Sequence, residues 1–199
     1  MAEIEFLRLG VAGVVGTVGA GLLAGPASAT LPVPNPQGDD VGFLSFGAVA
    51  ELTSRAWYTQ ALGAKGFTAG ERRRLQQAHA AKNDHIKRIN VALRGDAIQA
   101  GDFAATFPDG AFATKARAVG LGERIESLLV GTYLNGAAFA HDAATRLLLG
   151  RLLAYDAQML AWMRGLAGAP AASGLANPLS LEQAGATLDR LITTPNFPV

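Results

Sequence analysis

Residues 75–95 read LQQAHAAKNDHIKRINVALRG, and this stretch decides the fold. Its apolar residues recur at alternating steps of three and four, which places them on one face of an α-helix. Two ionisable residues, Lys82 and His85, stand in the middle of that face. The complete face consists of Leu75, Ala78, Lys82, His85, Ile89 and Ala92. The pattern predicts a helix that brings charged groups into its own apolar seam.

Three further segments repeat this pattern. Each combines an apolar face of helical period with one acidic residue near its middle, and these residues are Glu51, Glu126 and Asp156. A buried charge without a partner is costly, so we expect the three carboxylates to meet Lys82 and His85 in one cluster. The three faces are Leu44, Ala48, Glu51, Tyr58 and Leu62; Val119, Glu126, Val130, Tyr133 and Ala137; and Leu149, Leu152, Asp156, Met159, Met163 and Leu166. Together the four segments predict a helix bundle with a polar centre.

Capping signals place the helix ends. Asp39 and Asp40 are the predicted caps of the first helix, and Thr68 with Glu71 forms a capping box for the second. Asp142 is the predicted cap of the fourth helix. A second capping box, Ser180 with Gln183, starts a short C-terminal helix that stops before Pro195. The four long helices are expected over about residues 40–62, 69–94, 112–140 and 143–166, with a long connection between the second and the third.

Composition excludes several kinds of site. The chain has 199 residues, a formal net charge of +1 and no cysteine. Disulfides, thiolate metal sites and cysteine nucleophiles are therefore excluded. Lys and Arg number 17 against 16 Asp and Glu, with no clustered basic face, so we expect no nucleic-acid partner.

The first 29 residues are predicted to be a secretory signal peptide. An apolar run from Leu9 to Leu23 follows Arg8 and precedes Gly25-Pro26, and Ala27 and Ala29 supply the small residues that signal peptidase reads. A retained membrane anchor is the alternative, although the run is shorter than a span of about 20 residues. We expect cleavage after Ala29, no membrane span afterwards, and a periplasmic, cell-envelope or extracellular location. Residues 30–39 then form a proline-rich strap or linker, 40–168 the bundle, and 169–199 a short helix with an extended tail.

The arrangement resembles the ferritin-like superfamily, in particular the exported, desiccation-related ferritin-like family. The resemblance covers roughly residues 40–168 and implies an all-α, up-down four-helix bundle. The segments that carry it are FLSF (43–46) before Glu51 and WY (57–58) after it, His85 before ALRG (92–95), Phe103 and Phe107-Pro108 in the long connection, and Glu126 seven residues before Tyr133.

The resemblance also implies a site for two metal ions. Ferritin-like di-metal proteins use one Glu from each of two helices and a Glu-x-x-His pair from each of the other two. Here the single glutamates correspond to Glu51 and Glu126. The two pairs become Lys82-x-x-His85 and Asp156-x-x-Met159. Lys82 and Met159 thus replace two of the six family ligands, and we expect a degenerate site.

Three hypotheses for function follow. The first is a metal-free charge cluster in a protein with a structural, stress-protective or partner-binding role, without a cofactor and without catalytic residues. The second is a single iron or manganese ion held by Glu51, His85 and Asp156, with Glu126 nearby, in a protein that oxidises iron or handles peroxide. The third is a carrier of lipids or other apolar small molecules. All three allow a homo-oligomer or another protein as partner.

Overall fold

The computed structural model describes residues 32–99, 101, 105–171 and 176–191. The predicted signal peptide at 1–29 and the tail at 195–199 lie outside these residues. The helices are α1 (Asp39–Gly63), α2 (Ala69–Leu93), α3 (Lys115–Phe139), α4 (Ala143–Leu166) and α5 (Leu181–Leu191), with a 3-10 turn at Arg94–Asp96. Since the described residues contain no β-strand, the prediction of an all-α bundle is confirmed.

Two predicted capping boxes form. Thr68 Oγ1 accepts from Glu71 N at 3.3 Å, and the Glu71 carboxylate accepts from Thr68 N at 2.8 Å. Ser180 and Gln183 exchange the same pair of hydrogen bonds at 3.2 and 3.0 Å. Because each pair satisfies two backbone groups that the first helical turn leaves free, the start of the helix is fixed by local sequence.

The predicted caps of α1 are wrong. Gly38 takes the N-cap position with a φ of 54°, and no side chain caps the helix there. Asp40 is fully buried instead and accepts from the backbone N–H groups of His141 and Asp142 at 2.7 and 2.9 Å. It therefore ties the start of α1 to the turn between α3 and α4.

The start predicted for α3 is also wrong. The helix begins at Lys115 rather than near Phe112, because Thr114 is its N-cap and accepts from Arg117 N at 3.3 Å. The fourth helix begins as predicted, since Asp142 accepts from Thr145 N at 2.8 Å.

Short connections pair the helices. Residues 64–68 join α1 to α2, and residues 140–142 join α3 to α4, so each pair packs as a helical hairpin. The two hairpins meet through α1 and α3, and α5 packs against the same two helices. Gly131 permits the close approach of the segment before α5, because a Cβ there would lie 2.7 Å from Leu179 Cγ.

The four apolar faces point into the bundle. Nearly all of their residues are buried, and Leu62, Ala137 and Leu166 near the helix ends are partly exposed. Trp57 and Tyr58 of α1 and Tyr133 of α3 are among the largest fully buried side chains. All five helices belong to one compact unit, which begins at Val33. Within the described ranges, no helix combines the length and apolar character that crossing a membrane requires.

Candidate functional site

The structure brings the five ionisable seam residues together. Glu51 lies on α1, Lys82 and His85 on α2, Glu126 on α3 and Asp156 on α4. Four of the five are completely buried, and His85 retains 8% of its exposure. The predicted cluster is therefore present at the centre of the bundle.

Lys82 lies at the centre of the cluster. Its Nζ is 2.6 Å from Asp156 Oδ1, 3.1 Å from Glu51 Oε2 and 3.3 Å from Glu126 Oε2. One ammonium group thus contacts a carboxylate from each of the other three long helices. Charge-assisted contacts at such distances are strong where water is excluded.

His85 occupies the edge of the cluster. Its Nδ1 is 3.0 Å from Glu51 Oε1 and 3.9 Å from Asp156 Oδ1. Its ring packs edge-on against Tyr155 of α4, with 5.0 Å between the ring centroids. Because His85 is the one partly exposed member of the five, it lies between the cluster and solvent.

Three hydroxyl groups donate hydrogen bonds to the two glutamates of the cluster. Ser54 and Tyr58 of α1 donate to Glu126 Oε1 of α3 at 3.0 and 2.9 Å. Tyr133 of α3 donates to Glu51 Oε1 of α1 at 3.0 Å. These bonds cross between the two helices and fix the carboxylates, so that Oε2 of each glutamate faces Lys82.

The cluster shifts the pKa values of its members. Burial by itself raises the pKa of Glu51, but Lys82 and the contact with His85 outweigh it and lower that pKa from 4.5 to about 2. Burial lowers the pKa of Lys82, yet Asp156, Glu126 and Glu51 raise it well above 10.5. Burial and the charge of Glu51 raise the pKa of Asp156 well above 3.8, against the opposing effect of Lys82. The site therefore favours the ammonium of Lys82 and opposes ionisation of Asp156.

Two carboxylate oxygens lack a hydrogen bond to any described residue: Glu51 Oε2 and Asp156 Oδ2. The first still lies 3.1 Å from Lys82 Nζ, which is a close ion pair without hydrogen-bond geometry. Buried polar atoms are normally satisfied, so these two oxygens are exceptions among the described residues. Asp156 has one more oxygen than its described surroundings can satisfy.

Three side chains of the cluster could hold a metal ion together. Glu51, His85 and Asp156 each offer one ligand atom, and these atoms lie within 4.8 Å of one another. Glu126 is not one of these three; its Oε1 accepts from Ser54 and Tyr58, and its Oε2 lies 3.3 Å from Lys82 Nζ. Met159 is buried in the core, with 3% of its surface exposed. The assignment of Glu51, His85, Glu126 and Asp156 as metal ligands stays a prediction.

Comparison with models of protein families matches a ferritin-like domain over residues 39–169. The chain belongs to the ferritin-like domain family. The matched range contains all four helices of the bundle and every member of the cluster. Comparison with curated proteins finds no match.

Sequence reasoning missed part of the site of this ferritin-like chain. Tyr58 and Tyr133 lie on the predicted apolar faces, but the sequence does not identify the partners of their hydroxyl groups. Ser54 was not singled out, although its position three residues after Glu51 places it near the same helix face. That spacing was the available signal, while the choice of Glu126 as its acceptor depends on how α1 packs on α3.

Proposed function

We propose that this chain is an exported ferritin-like protein in which an internal lysine has replaced the metal ions of the family site. It serves a structural, stress-protective or partner-binding role and does not act as an oxidase. The observation that carries the proposal is the position of Lys82 Nζ, within 3.3 Å of carboxylate oxygens from three other helices.

Electrostatics supports a lysine in place of metal. A divalent ion about 4 Å from an ammonium is repelled by about 8 kcal/mol at an effective dielectric constant of about 20. Two such ions would have to share carboxylates that Lys82 already contacts. Met159 stands where the family pattern has histidine and supplies only a soft thioether. A thioether suits iron and manganese poorly. The residues present therefore do not fit a pair of metal ions.

The proposed location rests on the sequence of the first 29 residues. An apolar run followed by a helix breaker and small residues at the cleavage positions favours export. N-terminal sequencing of the protein from its native host tests this part independently. A mature chain that begins at Thr30 supports export, and a chain that retains Met1 in the cytoplasm contradicts it.

Metal content tests the central claim. Elemental analysis of the protein from its native host should find far less than one metal ion per chain, and the protein should not oxidise Fe²⁺ faster than buffer. The double variant Lys82→Glu with Met159→His restores the family ligand types at both positions. It should bind two metal ions per chain after reconstitution with iron or manganese.

The matched control is Lys87→Glu, which makes the same charge change at an exposed position of α2. It should gain no stoichiometric metal. If the double variant folds but binds no more metal than this control, the assignment of Lys82 and Met159 to the ligand positions is wrong. If the native protein carries two ions per chain, the lysine replacement itself is refuted.

A single metal ion is the second candidate, and the unpartnered oxygens favour it. Glu51 and Asp156, which carry these oxygens, are two of the three side chains that could hold an ion together, and His85 is the third. Such a site would supply redox chemistry for iron oxidation or peroxide handling. One equivalent of iron, manganese or zinc should then bind, and His85→Ala should abolish the binding. Substoichiometric metal that is unaffected by His85→Ala contradicts this candidate.

A further inference from the structure

The loop before α3 presents an Asp–Gly pair in an exposed turn. Ala111 N donates to Pro108 O at 3.1 Å, which closes a β-turn around Asp109 and Gly110. Both central residues are exposed, and Gly110 has a φ of 71°, which glycine adopts without strain. Since glycine has no side chain, its backbone nitrogen is open to approach by the carboxyl group of the residue before it. The turn therefore places a carboxyl group next to an unhindered backbone amide.

Neither of these two groups is held in place by a partner. Among the described residues, the Asp109 carboxylate has no ion pair or hydrogen bond, and no group accepts a hydrogen bond from Gly110 N. The turn also lines a cavity of about 430 Å³, through which water reaches it. The carboxyl group is therefore free to rotate towards the amide that follows it. Because the two groups belong to adjacent residues, ring closure between them profits from a high effective concentration.

Arg117 places a positive charge beside this amide. A Cβ on Gly110 would lie 3.1 Å from Arg117 Nη1. A carbon–carbon bond adds about 1.5 Å, so Nη1 lies no more than about 4.6 Å from Gly110 Cα. Among the described residues, Arg117 forms no ion pair that would neutralise it. The guanidinium is always charged, and it stabilises the negative charge that develops on the backbone nitrogen when its proton leaves.

We propose that Asp109 and Gly110 form a self-modification site, at which the backbone moves from the α-carboxyl group of Asp109 to its side chain. First, Gly110 N bonds to Asp109 Cγ and one Cγ–O bond breaks, and the oxygen leaves as water with the amide proton and the carboxyl proton. Water then adds to the main-chain carbonyl carbon of Asp109, and the bond from that carbon to Gly110 N breaks. The intermediate is a succinimide ring, and the product is isoaspartate. Since one water molecule leaves and one enters, the mass is unchanged and no oxidant is needed.

Helix α3 carries a comparison pair that the fold protects. Asn135 and Gly136 form an Asn–Gly sequence, whose side-chain amide closes the same kind of ring with loss of ammonia. Gly136 is buried inside α3, where helical hydrogen bonding holds its backbone N–H. Asn135 Nδ2 donates to Leu179 O at 2.9 Å, which fixes the side chain. We therefore expect Asp109 to react and Asn135 to remain intact while the chain is folded.

Peptide mapping of the full chain tests the proposal. The folded protein is incubated in neutral buffer, sampled over several weeks and digested with trypsin. The peptide 95–115 should split into two species of equal mass, and fragmentation that distinguishes the two linkages should place isoaspartate at Asp109. Asp96 lies in the same peptide and is also exposed, but it precedes Ala97 rather than glycine. If Asp109 gains no more isoaspartate than Asp96, the proposal is overturned.

Unfolding the same full chain in guanidinium chloride supplies the second comparison. Loss of α3 frees the backbone N–H of Gly136 and the side chain of Asn135. The peptide 125–146, which contains both residues, should then deamidate, although it stays intact in the folded protein. Deamidation of Asn135 at the same rate in the folded and the unfolded chain would refute the claim that the fold selects the reactive site.

Three variants at exposed positions test the assigned groups. Asp109→Glu keeps the charge but would have to close a six-membered ring, so the isomer at this position should disappear. Arg117→Gln should slow ring closure roughly fivefold, which is the effect of one unit charge about 4 Å away in water. Arg124→Gln is the matched control, because Arg124 lines the same cavity but its Nε donates to Gly120 O. It should leave the rate unchanged, and equal rates in the two arginine variants would contradict the role of Arg117.

The outcome is independent of the proposed function. Asp109 lies in the loop before α3 and is not a member of the buried cluster. An unmodified turn overturns the isoaspartate proposal alone, whereas two bound metal ions overturn only the proposed replacement of metal by Lys82. Peptide mapping and elemental analysis of the same sample thus decide the two questions separately.

Discussion

Replacing Lys82 with methionine leaves three buried carboxyl groups without their central cation. Methionine fills a similar volume but carries no charge, so the effect on packing is small. Removing one partner of a buried ion pair costs about 3–5 kcal/mol, because it leaves an uncompensated buried charge. We expect the free energy of unfolding of Lys82→Met to fall by about that amount at neutral pH.

Asp156→Asn is the matched comparison. It removes one negative charge from a cluster that has more carboxylates than cations, and it resembles the neutral acid that the raised pKa of Asp156 favours. The loss should stay within about 1 kcal/mol, because the asparagine keeps the shape of the side chain. The difference between the two variants therefore reports the charge balance alone.

Urea unfolding followed by far-UV circular dichroism measures this difference. With a slope of about 2 kcal/mol per molar urea, a difference of about 3 kcal/mol separates the two midpoints by about 1.5 M. If Lys82→Met is unfolded at neutral pH, it should regain helix content near pH 4, where carboxyl groups begin to protonate. Equal midpoints for the two variants, or a lower one for Asp156→Asn, would refute the role of Lys82 as the counter-ion.

Two further predictions concern the framework. Gly122→Ala should destabilise the bundle by about 1–3 kcal/mol in urea unfolding, because the added Cβ would lie 2.8 Å from Cε2 of the fully buried Trp57 and closer still to Cζ2. Gly120→Ala on the same helix meets nothing within 4 Å and should instead stabilise it by up to about 1 kcal/mol; equal effects would contradict the packing argument. Glu71→Gln keeps the capping box but loses the charge, and the hydrogen bond from Lys115 lowers the pKa of Glu71 below 4.5. Glu71→Gln should therefore lower the free energy of unfolding modestly at neutral pH, and this loss should disappear as the pH falls through the lowered pKa of Glu71. A loss of stability that persists in acid would argue against an electrostatic origin.

Local sequence was sufficient for most of the framework. The capping boxes at Thr68 and Ser180 and the cap at Asp142 form because each bond joins residues three apart. Asp40 was assigned wrongly for the opposite reason. Its carboxylate accepts hydrogen bonds from the backbone of His141 and Asp142, which lie about a hundred residues away in the chain. No local sequence pattern indicates these partners.

The sequence by itself determined that the chain is a helix bundle and that five ionisable groups lie on its inner faces. Helical periodicity fixes which residues share a face, and the cost of an isolated buried charge requires those groups to meet. Only the tertiary structure decided how they meet. The distances from Lys82 to three carboxylates depend on how α1, α3 and α4 pack around α2. The unpartnered oxygen of Asp156 depends on the same packing, because a side chain reaches a partner on another helix only when the register of both helices allows it.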